Sequence, residues 1–254
     1  MRKVSLVLIP VLFLLLLLSC QTAPTAKNVI AYPTDYDLYT TGASCYDGCG
    51  DHFDSPYFKH PDFYNMESQG SLVIIPRFET YQQTTEYTCG AGTILMVINH
   101  FGVADQDELS IAEVAEISEE TGVSVAGIVK YFEKEGWNVT SSLNEGVYDG
   151  YTFEDPAEFT AWVLENLGND IPILVDWLDW AGHWQAIIGY DTMGTEDHFG
   201  DDVLVMADPY DTSDHWQDGY FIVPAERFFY MWREGVYESS LPLQQPWVIA
   251  TPAK

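Results

Sequence analysis

The chain has 254 residues, enough for one domain of ordinary size plus an N-terminal extension. It carries 39 acidic against 10 basic side chains, a formal charge of −29, which repels phosphate backbones and excludes a nucleic-acid partner. Aromatic residues make up 15% of it, too many for a disordered acidic chain.

Residues 1–19 read as an export signal. Arg2 and Lys3 give the positive start, and Val4 to Leu18 form an apolar run. That run is shorter than the roughly 20 residues a membrane-spanning helix needs. It ends in Leu17-Leu18-Ser19-Cys20, which resembles a bacterial lipobox, so Cys20 is expected to become a lipid-modified N-terminus. The protein is then lipid-anchored in a bacterial cell envelope, outside the cytoplasm. Gln21 follows Cys20 where an Asp would favour inner-membrane retention, so the outer membrane is the expected address in a Gram-negative host.

Residues 20–70 read as a tether and irregular segment rich in Pro, Thr, Tyr, Asp and Gly, and 71–254 as the folded domain. Within the tether, Cys45 and Cys49 are four apart beside glycines, which favours a local disulfide outside the cytoplasm. The alternative is a zinc site recruiting His52 or His60; neither a metal nor a cofactor is otherwise expected. Cys89 remains, unpaired.

"SLVIIPRF" (71–78) predicts a strand, and Cys89 to about Phe101 a helix with Gly102 at its C-terminus. "DELSIAEVAEISEET" predicts an amphipathic helix with Leu109, Val114 and Ile117 on or near its apolar side. "SVAGIVKYFEKEG" predicts a helix ending at Gly136, and "WNVTSS" a short strand. Asp155-Pro156 is an N-cap and first-turn pair for a further helix. Then come strands at 171–178, 183–191 and 201–209, a short helix in "VPAERFFYMWRE", and a last strand, "PWVIATP". Helices first and an antiparallel run of strands after them predict an α+β domain.

A thiol near its ordinary pKa is a few per cent thiolate at neutral pH, so a nucleophilic cysteine needs help. Cys89 stands at a helix N-terminus, where the dipole favours an anion. Of the six histidines, His100 is about 16 Å away by helix rise. His183 begins a strongly apolar strand and is the candidate base. Asp208 ends the next strand, beside His183 if the two form a hairpin, and is the candidate orienter of the imidazole. Gln83, six residues before Cys89, is the candidate oxyanion donor together with the Cys89 N–H, with neighbouring Gln82 as the alternative. Each has a structural alternative: a packed cysteine, a strand-edge histidine, a turn aspartate.

Gln83-x5-Cys89-Gly90-x-Gly92, Gly182-His183-Trp184 with its apolar strand to Gly189-Tyr190-Asp191, and Ala207-Asp208-Pro209-Tyr210 together resemble the papain-like cysteine peptidases of the bacteriocin-leader-processing type, family thirty-nine and its stand-alone relatives. The resemblance spans roughly residues 72 to 250. It implies a papain-like fold, with the cysteine helix packed on an antiparallel sheet. It also implies peptide-bond hydrolysis by Cys89 as nucleophile, His183 as base, Asp208 as orienter and Gln83 as oxyanion donor. Gly92 departs from the pattern, which often has Pro or Ala shortly after the cysteine. No transporter segment follows, so the double-glycine leader substrate of transporter-linked members is not carried over. The expected partners are a peptide or protein substrate and, through the lipid, a membrane. Transglutaminase-like enzymes share the Cys, His, Asp order but at tighter spacings. The rival of another class is a non-catalytic surface lipoprotein of the same fold, binding peptide or glycan through Trp177, Trp180, Trp184 and Trp216.

Overall fold

A computed structural model describes residues 30–33, 42–43, 61–143, 153–179, 182–195, 197–212, 217–233 and 244–253. The signal, Cys20, Cys45, Cys49, His52, His60, Trp180 and Trp216 lie outside the described residues, and with them the lipidation, disulfide and zinc expectations.

Helices come first: α1 (Cys89–His100), α2 (Glu108–Ala115), α3 (Val125–Lys134) and α4 (Pro156–Gly168), with α5 (Ala225–Met231) late in the chain. The strands are β1 (Leu72–Ile74), β2 (Asn138–Ser141), β3 (Ile173–Trp177), β4 (His183–Asp191), β5 (Val203–Ala207), β6 (Tyr220–Pro224) and β7 (Trp247–Thr251). They form one seven-stranded antiparallel sheet in the order β2-β7-β3-β4-β5-β6. β1 extends the β3 side of β4: β3 pairs with His183–Ile187 and β1 with Gly189–Asp191. The α+β class and the packing of the cysteine helix on an antiparallel sheet are as the sequence leads one to expect.

α1 is apolar nearly all round, and Gly90 through Asn99 are buried. Such a helix belongs in the middle of a core. Thr93 Oγ1 lies 2.9 Å from both the Cys89 carbonyl and the Trp184 carbonyl, and so ties the first turn of α1 to the start of β4. The Asp155 carboxylate accepts from the Glu158 N–H at 2.9 Å and caps α4, with Pro156 in its first turn as the sequence predicts.

Three features differ from expectation. α2 stops at Ala115, because Glu116 takes a left-handed conformation (φ 59°), and residues 118–122 close a tight turn instead. Its buried stripe is Glu108, Ile111, Ala112 and Ala115, whereas Leu109 is 39% exposed. A carboxylate at the start of that stripe shifts the apparent apolar phase by one residue. β6 is an unpredicted strand, directly before α5 and paired along its full length with β5. Upstream of residue 71, Ile30, Tyr32 and Phe63 also pack on the core.

Candidate active site

Cys89 opens α1 as a free, half-buried thiol. It is reached through an open cleft of about 130 Å³, which Gly182, Trp184, Asp176, Glu86, Glu119 and Glu120 help to line. The loop before it, residues 80–88, is neither helix nor strand, yet Tyr81 through Thr85 and Thr88 are buried. Buried irregular backbone must find polar partners. The Gln83 N–H donates to the Pro209 carbonyl at 2.7 Å and the Gly42 N–H to the Thr84 carbonyl at 3.1 Å. Side chains supply others: the Thr84 N–H donates to the Glu108 carboxylate and the Thr85 carbonyl accepts from the Gln83 amide.

His183 and Asp208 meet because β4 and β5 form a hairpin, with Ala186 opposite Ala207. His183 Nε2 lies 2.6 Å from Asp208 Oδ1, with both side chains almost wholly buried. The Asp208 N–H donates to the Gly219 carbonyl at 2.8 Å. Its Oδ1 also accepts from the Tyr210 N–H at 2.7 Å, which fixes the carboxylate. The Tyr210 ring stands edge-on to the imidazole at 6.5 Å between centroids. With Nε2 engaged by Asp208, Nδ1 is the ring nitrogen left for Cys89, whose thiol is near enough to act on the imidazole. Burial alone would pull the His183 pKa down. The Asp208 charge and hydrogen bond, and then the Cys89 thiol, outweigh it and hold the value well above the ordinary histidine range. An imidazolium is therefore the favoured state between these two partners.

The adjacent glutamines divide. Gln82 Oε1 accepts from the Asp211 N–H at 3.0 Å and its Nε2 donates to the Asp208 carbonyl at 2.9 Å, so Gln82 braces the loop after β5. Gln83 Nε2 donates to the Thr85 carbonyl at 2.7 Å, which sets the amide orientation and leaves a second N–H. Its Oε1 is buried without a hydrogen-bond partner. Gly92 explains the departure noted in the sequence. A β-carbon there would come within 2.8 Å of Pro209 Cβ, and Gln83 Cβ lies 3.7 Å away on the same side. Only a glycine lets α1 pack this closely on the loop that carries Asp208.

The structure thus brings Cys89, His183 and Asp208 together, with Gln83 in the buried loop that leads into α1. His100 sits at the far end of α1, where its Nε2 lies 3.0 Å from the Asp170 carbonyl. Sequence reasoning missed Glu108, and nothing in its local pattern marks it. Among the described residues, no group of His, Cys, Asp or Glu is arranged to hold a metal ion. Trp177 and Trp184 are buried. Their indole N–H groups donate to Gln185 Oε1 at 2.6 Å and to the Val123 carbonyl at 2.9 Å, so neither has an open donor for a ligand.

A sequence model of the Peptidase_C39 like family matches residues 75–239, which takes in all four of these residues. The chain belongs to the Peptidase_C39 like family. As a C39-like protein with a papain-like arrangement, it is in broad terms a cysteine peptidase. No curated protein matches it. Among the solved structures similar to it are two peptidase domains. The peptidase domain of Streptococcus ComA, a bi-functional ABC transporter of a quorum-sensing pathway, is 16% identical over 69% of this chain and 99% of that one, with a TM-score of 0.45. The peptidase domain of Streptococcus mutans ComA is 14% identical over 68% and 99%, with a TM-score of 0.36.

Proposed function

We propose that this C39-like protein hydrolyses peptide bonds outside the cytoplasm, anchored through a lipid on Cys20. Cys89 is the nucleophile, His183 its base and acid, Asp208 the orienter, and Gln83 with the Cys89 N–H the oxyanion donors. The observation that carries this reading is the buried His183–Asp208 pair at 2.6 Å, with the free Cys89 thiol at the start of α1 close enough to act on the imidazole. The thiolate attacks the scissile carbonyl carbon, and the C=O electron pair becomes an oxyanion. As the tetrahedral species collapses, the imidazolium gives its proton to the leaving amine, and a thioester remains on Cys89. Water then adds to the thioester, giving its proton to the imidazole, and Cys89 departs as thiolate with release of the acid.

Peptide turnover and iodoacetamide labelling test it together. Cys89→Ala and His183→Ala abolish turnover, and His183→Ala also slows alkylation of Cys89 near neutral pH. Gln83→Ala lowers the rate by roughly 10²–10³-fold with the alkylation rate intact. Equal alkylation of wild type and His183→Ala at all pH values sinks the ion-pair mechanism and favours a binding protein of this fold. Anchoring is tested apart from catalysis: Cys20→Ser releases the protein from the membrane fraction. Alkylation without reductant modifies Cys89 but neither Cys45 nor Cys49 if those two are bridged.

A further inference from the structure

Glu108, in the first turn of α2, is wholly buried in the same region as the catalytic loop. Its two oxygens receive the Thr84 N–H at 3.0 and 3.1 Å, the Thr84 hydroxyl at 2.6 Å, the Tyr81 hydroxyl at 2.7 Å and the Thr88 hydroxyl. These three residues bracket Gln83 and end at the position before Cys89. Thr88 is the N-cap of α1, yet its side chain makes no capping bond, because Glu108 and Thr85 engage it. A helix start that forgoes its usual cap to reach a neighbouring helix is held by that neighbour. A carboxylate accepts and does not donate, so it can gather all of these donors at once, which an amide cannot.

We propose that Glu108 is a positioning residue of the active site: its carboxylate gathers Tyr81, Thr84 and Thr88 and so fixes the loop that carries Gln83 and delivers Cys89. This rests on the reading of Cys89 as nucleophile. Burial pushes the Glu108 carboxyl up from the ordinary range, against the hydrogen bonds from Thr84, Thr88 and Tyr81. Burial thus opposes the charge on Glu108, and the hydrogen bonds from these three residues offset part of that cost.

The test uses Glu108→Gln in the full chain with three readouts. One is kcat and KM on a peptide. Another is the affinity of N-acetylphenylalaninal, whose carbonyl the thiolate attacks to form a hemithioacetal, its oxyanion needing the same donors. The third is the rate of iodoacetamide alkylation, which needs no oxyanion donor. The expected result is a fall on the order of 10–100-fold in kcat and in aldehyde affinity, with KM, alkylation rate and a cooperative melt retained. Tyr81→Phe, which removes one donor and no volume, gives a smaller fall with the same split and stands in if Glu108→Gln does not fold. Unchanged kcat and aldehyde affinity overturn the proposal. So does a joint fall of kcat, alkylation and melting temperature, which describes a general scaffold residue. A wild-type Cys89 that binds no aldehyde and alkylates independently of His183 removes the nucleophile reading itself, and the positioning role with it.

Discussion

Gly92 shows how closely this site is packed. Gly92→Ala puts a methyl group 2.8 Å from the Pro209 ring, and a proline ring has little freedom to yield. Overpacking of this kind costs about 1–3 kcal/mol. It also displaces Asp208, so kcat/KM is expected to fall by about tenfold or more. A steady-state assay beside a thermal melt checks both. Asp208→Asn acts through charge. Asp208 raises the folded pKa of His183, so the stability it confers is fully present below the ordinary value of about 6.5 and fades as pH rises through the raised one. Urea melts are expected to show the wild type's advantage over Asp208→Asn in acid and at neutrality, vanishing in alkali. The alkaline limb of kcat/KM, which reports loss of the imidazolium, moves to lower pH in the same variant. The chemistry-bearing types at Cys89, His183, Asp208 and Gln83 were legible because each sits at the end of an element or a fixed step before one. Glu108 was not. An acidic residue in a first helical turn is commonplace, since the dipole favours it, and its burial depends on a loop from elsewhere folding over it.

Among the elements, α2 separates what periodicity reveals from what it hides. Its existence follows from the apolar spacing, but its phase does not. Glu108, Ile111, Ala112 and Ala115 follow the three-and-four step of a buried face, with a carboxylate where an apolar residue would announce it. Leu109 then reads as core and is not. Ile111→Ala is expected to cost about 2–5 kcal/mol, as buried aliphatic truncations do. Leu109→Ser should fall within about 0.5 kcal/mol of wild type, as exposed substitutions do. Denaturant melts of the two variants give the order, and a larger loss at Leu109 would restore the phase read from the sequence. β6 escaped notice for another reason: it is five residues long and runs straight into α5, Pro224 both ending the strand and standing at the helix N-cap. Long or well-capped elements, such as β4 and α4, stand in the sequence nearly at their observed limits.

At the scale of the whole molecule, the charge of −29 and the cleft act in the same direction. Glu86, Asp176, Glu119 and Glu120 line the cleft at Cys89, and no Lys or Arg is among the described residues lining it. A substrate approaching the thiol therefore meets a negative field, focused where the walls exclude water. A peptide with Lys or Arg beside its scissile bond gains from that field in association and in the cleft, and one with Glu or Asp loses. Salt screens exposed charges, the Debye length falling from about 30 Å at 0.01 M to about 3 Å at 1 M. Raising salt from about 0.02 M to about 0.5 M is expected to lower kcat/KM for the cationic peptide by about tenfold and to raise it for the anionic one. The long-range field and the cleft separate by mutation. Glu119→Gln with Glu120→Gln removes most of the preference between the two peptides, whereas neutralising Glu165 on α4 and Glu226 on α5, two exposed carboxylates that do not line the cleft, changes the salt slope but leaves the preference in place. Equal effects of the two pairs would assign the preference to net charge alone.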